Sequence, residues 1–338
     1  MRKLAWALLS FSAAVFVYAY FDFGNFFPLI CAVLCAAAVC GFFLKGDTRL
    51  KIMTVSIAAL CALLYCRGYD AAIYAPARDI AGTEMLGEFE ITSFPAETDS
   101  GVRADALLDM GKPLKTKVRL YLGGDGYDAV KPGDKVSANV RCRASDKIYG
   151  RDTDVFTSKG IVLLAYADSG GNITPCGKTP IKYMPLYFAE KVKAVIKASF
   201  TEYAAPFATA ILTGDTSDLY DDGEFTDDLK ISGVYHIVAV SGMHISFLVA
   251  LCTVFTGNRK RRIFILTPIV LIFMAMSGFR PSVTRAGIMF FILLLSSASM
   301  RESDSITSLS IALGILLVIN PYSCRDIGLQ LSFAAMLA

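Results

Sequence analysis

The sequence predicts a polytopic α-helical membrane protein with a small all-β, OB-like barrel domain inserted on the extracytoplasmic side, and three observations lead there. Hydrophobic residues make up 54% of the 338 and mean hydropathy is +0.51, too apolar for a soluble chain of this size, which has to cover its surface with polar groups. The apolar runs Leu4 to Phe21, Phe26 to Leu44, Ile52 to Cys66, Gly233 to Phe255, Ile263 to Ser277, Val283 to Ser299 and Ile306 to Ile319 approach or reach the roughly 20 residues a helix needs to cross about 30 Å of hydrocarbon. Between Thr83 and Ala167 the apolar period switches from helical to alternating, the mark of half-buried strands.

Arg2 and Lys3 open the first run. It is long for a secretory signal and two more runs follow at once, so it reads as a retained helix. Lys45, Arg49 and Lys51 fill the second loop and "NRKRR" (258–262) follows the fourth long run. The positive-inside rule makes all three cytoplasmic, which places the N-terminus on the cytoplasmic side of the cytoplasmic (inner) membrane and residues 70–200 outside, with the "GFRPS" and "NPYSCRD" loops on that outer side. The expected organisation is three N-terminal transmembrane helices over 1–69, an OB-like β domain over 70–180, an amphipathic interfacial helix over 181–202 and a membrane domain over 203–338. The net charge of +3 resides mostly in the cytoplasmic loops and says little about an acidic partner. Five of the nine cysteines lie in the first spans, where a small hydrophobe suffices. Cys142 and Cys176 lie in the exported segment, and the choice for them is a disulfide or two unpaired buried thiols.

Within the β segment, "GEFEITSF", "GVRADALLDM", "KTKVRLYL", "KVSANVRC" and "IVLLAYA" are five short strands bounded by Gly, Pro or Asp, with a tight reversal at Pro132 and Gly133. Five strands closing on themselves make a small barrel of the OB type, with a β-sandwich fragment as the alternative. From Thr83 to Lys178 there are 13 Lys plus Arg against 14 Asp plus Glu. That balance argues against a strong electrostatic grip on DNA by the whole domain, and leaves Arg119, Arg141 and Arg143 as either a local patch or a solvated strand face. From Pro185 to Phe200, apolar residues alternate with Glu190, Lys191, Lys193 and Lys197 at helical spacing, as in a helix lying on the membrane surface. The following run, "YAAPFATAILTG", is too short to span and reads as interfacial or re-entrant.

Both histidines of the chain, His236 and His244, fall in "GVYHIVAVSGMHISF" (233–247) with Ser241 and Gly242 between them. On a helix they share a stripe flanked by small residues, and such a stripe faces the protein interior or a wet cavity because lipid leaves polar groups unsatisfied. A zinc pair fits poorly: the spacing is i and i+8, about 12 Å along the axis, where metal-binding helices use i and i+4. A Ser241–His244 nucleophile pair of an intramembrane hydrolase has the right spacing and lacks an orienting acid nearby. Interhelical hydrogen bonding and a polar transport path are the other two readings. Downstream, Arg285 enters the start of a span, where a guanidinium must snorkel, pair or meet a phosphate. Asp326 precedes a helix carrying Gln330 and Ser332; it is placed to cap that helix, with Arg285 as a candidate partner.

These residues carry a resemblance. "GVYHIVAVSGMHISFL", "AILTGDTSDL", "RPSVTRAGIMF" and "DIGLQLSFAA" stand in the order found in the ComEC family of competence DNA-uptake channels, and the "KPGDKV" turn with "DVFTSKGI" is similar to that family's exported OB-like domain. The resemblance implies a membrane channel that passes single-stranded DNA across the cytoplasmic membrane in natural transformation. Its partners would be the DNA strand, the lipid bilayer and other DNA-uptake proteins. By matching positions it implicates His236, Ser241, Gly242, His244, Arg285, Asp326, Gln330 and Ser332, with Thr213, Gly214 and Asp215 behind them. No catalytic residue, metal or cofactor is expected in this chain, since the family's nuclease domain needs a histidine cluster and both histidines are already placed. A non-conducting structural module is the third alternative, and the apolar stretch at Ala338 reads as the end of a fragment.

Overall fold

The computed structural model describes residues 3–21, 23–98, 101–109, 115–123, 127, 130–148, 151–167, 172–177, 179–214, 227–228, 231–233, 242–254, 259–298 and 304–337. Three apolar helices come first: α1 (Lys3–Tyr20), α2 (Phe27–Phe43) and α3 (Asp47–Tyr69). Each is long and apolar enough to cross a membrane. The third does not stop at the end of its apolar run. It passes through a π turn at Asp70–Tyr74, where the Ala75 N–H donates to the Asp70 carbonyl, and continues as α4 (Ala75–Ile80) to the first strand. Pro76 accounts for the widening: it has no N–H to give, and its ring would collide with a normal helical turn before it. The stretch counted as the start of the exported domain is thus, up to Ile80, a continuation of the third helix.

Among the described residues nine strands follow: β1 (Glu84–Ile91), β2 (Ala96–Thr98), β3 (Gly101–Leu108), β4 (Thr116–Leu122), β5 (Lys135–Ala144), β6 (Lys147–Ile148), β7 (Arg151–Asp152), β8 (Leu163–Ala167) and β9 (Asn172–Thr174). β1 pairs antiparallel with both β3 and β5, β3 with β4, β4 runs parallel to β8, and β8 returns antiparallel to β5. The circuit β1-β3-β4-β8-β5 closes on β1, a five-stranded barrel without exposed long edges. Strict alternation fills it, with Phe89, Leu108, Leu120, Val136, Val140 and Leu163 fully buried. The five expected strands are these five, and the sandwich alternative falls away.

The candidate bridge between Cys142 and Cys176 is not formed. No disulfide joins them: Cys142 is buried in the barrel and Cys176 is exposed. The register explains it: β9 pairs Thr174 with Lys135, at the other end of β5 from Cys142, and seven residues of strand at ~3.3 Å each separate the sites by about 20 Å, far beyond disulfide reach.

After the barrel, α5 (Met184–Ser199) presents Met184, Phe188 and Val195 on an exposed face and buries Ala189 and Ile196. Its start is fastened beneath the barrel by Tyr187, whose hydroxyl donates to the Pro132 carbonyl at 3.1 Å and whose ring lies 5.3 Å from that of Phe94. The short α6 (Ala205–Thr213) follows, and then α7 (Gly242–Val254), α8 (Arg259–Met276), α9 (Pro281–Ala298), α10 (Ser305–Ile319) and α11 (Ile327–Leu337). α10 packs on α1 and α3, with Leu317 in one cluster with Val15 and Ala62. α7, α8 and α9 share a second cluster of Ile245, Val270, Met274 and Val283.

Candidate functional site

The residues singled out from the sequence divide into three groups. His236, Ser241 and Asp215 lie outside the described residues. Gly242 opens α7 and His244, one turn in, is half-buried beside Ile245, which sits in the α7–α8–α9 cluster. Thr213 ends α6, buried, its hydroxyl donating to the Thr209 carbonyl at 2.8 Å. Gly214 then takes a left-handed φ of 80° and donates its N–H to Ala210, a helix stop that glycine makes at least cost. The conspicuous Gly in "LTGD" therefore has a backbone role.

Arg285 lies in the first turns of α9, 8% exposed. Its Nη1 has no hydrogen-bond partner, and among the described residues no carboxylate pairs with it. What it meets is the ring of Phe333 on α11, 5.5 Å from the guanidinium carbon. The hydroxyl of its neighbour Thr284 is also buried and unpartnered. Two residues on, Gly287 admits the close approach of α8: a Cβ there would stand 2.3 Å from the Met274 sulfur. Asp326 is not the partner of Arg285. Its Oδ1 accepts from the Leu329 N–H at 2.8 Å and its carbonyl from the Gln330 N–H, so the carboxylate serves the start of α11. Gln330 reaches back from α11, donating to the Tyr20 hydroxyl at 2.6 Å and the Cys324 carbonyl at 2.7 Å. Ser332 is half-buried on the same helix.

A second set of polar residues, which the sequence did not single out, fastens the barrel to the helices. Asp70, in the π turn, accepts from Tyr18 of α1 and from Tyr322 of the Pro321–Arg325 turn, both at 2.6 Å. Burial, with Asp70 alongside, pushes the Tyr322 hydroxyl well above its usual range, so it remains a donor. Asn320 donates to the carbonyls of Thr157 and Ser158 in the barrel, each at 3.0 Å. Arg325 bridges Asp154 of the barrel, at 2.5 Å, and the Ala19 carbonyl of α1. A cleft of about 210 Å³ opens at this seam between Arg78, Asp146, Asp154, Tyr322 and Arg325. The only hint in sequence was polarity at the ends of spans, since partners such as Asp70 and Tyr322 stand 252 residues apart.

Comparison with known proteins bears on the helical half. Residues 211–338 match the family described as Competence protein. The chain is 30% identical over 161 residues to ComE operon protein 3 of Bacillus subtilis (strain 168), a match covering 44% of this chain and 20% of that protein. The chain thus spans about a fifth of the length of the curated relative it matches. No solved structure matches it. Arg285, His244, Asp326, Gln330 and Ser332 all lie within residues 211–338, the part of the chain that matches the Competence protein family, and the two matches together support a relationship to the ComEC family.

Proposed function

We propose that the chain takes part in DNA uptake as a portion of the path by which a single strand crosses the cytoplasmic membrane, with Arg285 facing the phosphates. The observation that carries this is the burial of an unpaired guanidinium inside a helical bundle. Taking a charge out of water costs several kcal/mol unless a counter-charge or water replaces the lost hydration. Asp326, the acid the sequence offered as its partner, is committed to its own helix, and Asp304 to the start of α10. A passing phosphate backbone supplies the missing anion, and hydroxyls such as that of Thr284 supply further hydrogen bonds.

On this reading the motif residues His236, Ser241, Gly242 and His244 belong to the same polar route, with Gln330, Ser332, Thr213, Gly214 and Asp215 as its further candidate residues. The chain threads the membrane several times with its N-terminus in the cytoplasm and residues 70–200 outside. In favour of that threading, the C-terminal ends of α1, α3 and α10 all meet the barrel at one seam. The amphipathic α5 lies along the outer surface of the bilayer. The role is transport, with no catalytic step assigned to this chain, and with other DNA-uptake proteins as its partners.

Replacing Arg285 by Gln tests it. At matched membrane expression, transformation should fall about thirtyfold or more, the equivalent of losing a charged contact worth about 2 kcal/mol, and Arg285→Lys should retain part of it. Normal transformation by a well-expressed Arg285→Gln chain would remove the proposed path.

A further inference from the structure

The register of the barrel aligns four side chains outside its interior, two of them half-buried tyrosines that pack at the edge of the Phe156–Ile161–Leu164 cluster. Arg103 on β3 stands opposite Tyr121 on β4, Tyr121 opposite Tyr166 on β8, and Tyr166 opposite Arg141 on β5. Their strand neighbours Val102, Leu120, Ala165 and Cys142 are buried, so alternation turns the four outward. The two tyrosine rings are stacked, 4.8 Å between centroids and 6° from parallel. Arg143, two residues along β5, lies over Tyr166 at 5.2 Å. Arg103, Arg141 and Arg143 are exposed. None forms an ion pair among the described residues, even though Glu84 on β1 stands opposite Arg141.

The adjacent row offers an internal contrast. There Asp105, Arg119 and Leu164 occupy equivalent outward positions, and Arg119 is neutralised by Asp105 at 2.9 Å while Leu164 is covered by Phe156 and Ile161. In that row an ion pair and an apolar cover meet the structural demands as far as Leu164, beyond which Arg143 on β5 turns out over Tyr166. In the Arg103–Tyr121–Tyr166–Arg141 row the cations are left unpaired on either side of a π stack. Strands about 4.8 Å apart make the row about 14 Å wide. Aromatic platforms flanked by arginines suit a polymer with flat bases and a regularly charged backbone, because every base has a face to stack and every linkage a phosphate. The bases of a duplex are already stacked and unavailable.

We propose that this row is a binding site for single-stranded nucleic acid, with bases stacking on the Tyr121–Tyr166 pair and phosphates held by Arg103, Arg141 and Arg143. The proposal rests on the reading of the chain as a conductor of a DNA strand and adds where on the exported barrel that strand is held. The near balance of charge over the segment is no obstacle, since the grip is local.

The test compares two fluorescent oligomers of equal charge, about 15 nucleotides long, one of deoxythymidine and one abasic, binding to the purified full chain in detergent. The wild type should prefer the base-bearing oligomer by about tenfold or more. Tyr121→Ala with Tyr166→Ala should abolish the preference, and Tyr121→Phe with Tyr166→Phe, which keeps both rings, should retain it. Changing Arg103, Arg141 and Arg143 to Gln should weaken both oligomers alike and lower the slope of affinity against salt by about 2 to 3. Equal binding of the two oligomers by the wild type, or a preference that survives the double alanine variant, overturns the proposal. Arg285→Gln separates it from the path in the helices: the preference should be unchanged there, and its loss in that variant would move base contacts away from the barrel and overturn the proposal. If Arg285→Gln abolishes uptake while no base preference exists, the barrel site fails and the helical path stands.

Discussion

Asp105 of the barrel lies between Lys117 and Arg119, at 3.3 and 2.9 Å, whereas Arg285 of the helical half lies against a phenylalanine ring with one nitrogen buried and unbonded. The same difference recurs around each. In and beneath the barrel, Glu90 accepts from Lys115 and Tyr183, and Asp134 accepts from the N–H groups of Lys131 and Cys176. In the helices, the hydroxyls of Thr284 and Thr209 share the condition of Arg285, buried with no partner. Buried polar groups in a finished fold are hydrogen-bonded almost without exception. The buried carboxylates of the barrel therefore find their partners within it, although the hydroxyl of Tyr74, packed into its core from the π turn, does not, and the orphaned groups of the helical half are the ones the proposed path would satisfy.

The contrast can be broken by mutation. Its largest consequence is in packing: Leu120→Ala, at a fully buried position of the closed barrel, should cost about 2 to 5 kcal/mol, read as loss of amide protection across the barrel strands while α1 to α3 keep theirs. Next in size, and opposite in sign, is Arg285→Leu. Replacing a charge buried without a counter-ion by an apolar side chain of similar reach should stabilise the detergent-solubilised chain by about 1 to 4 kcal/mol while uptake is lost. A thermal unfolding temperature that drops in Arg285→Leu would mean that the guanidinium is a structural member of the bundle, and the distinction between the two regions would dissolve.

How much of this was legible in the sequence follows the same division. The five barrel strands were, to within about three residues at their ends, because a barrel closed around one core buries every second residue: Val136, Ala138, Val140 and Cys142 alternate inward on β5 as their order in "KVSANVRC" implies, whereas the short β2, β6, β7 and β9, two or three residues each, carry no such alternation. The three long helices were legible from length and composition. The continuation of α3 to Ile80 was not, because "RGYDAAIYAPARDI" has no helical apolar stripe and contains a proline. It stays helical because the π turn absorbs Pro76 and because Asp70 finds Tyr18 and Tyr322 across the fold. Asp326 was read correctly as a cap. Its pairing with Arg285 was a guess from opposite charge in nearby spans, and charge order along a chain does not say which acid is already occupied by a helix N-terminus. Cys142 and Cys176 failed for a related reason: proximity in an exported segment carries no information about opposite ends of a strand.

The smallest effect expected is the most local test of the comparison. Burial alone would raise the Asp105 carboxyl, and Lys117 with Arg119 outweighs it, so the group sits below the usual carboxylate range. A carboxyl whose folded value is depressed contributes stability that is present above its unfolded value, about 3.9, and that is lost as pH falls through the lower folded value. Asp105→Asn should therefore lower barrel stability by about 1 kcal/mol at neutral pH, with the difference from wild type closing below about pH 4. Because no carboxylate among the described residues faces Arg285, the gain from Arg285→Leu should stay constant over the same range. Melting curves of both variants between neutral and acid pH decide it: a gain that is small or negative at neutral pH and grows in acid, as protonation removes the wild-type pairing, would reveal a carboxylate partner for Arg285 and place the helical half under the same rule as the barrel.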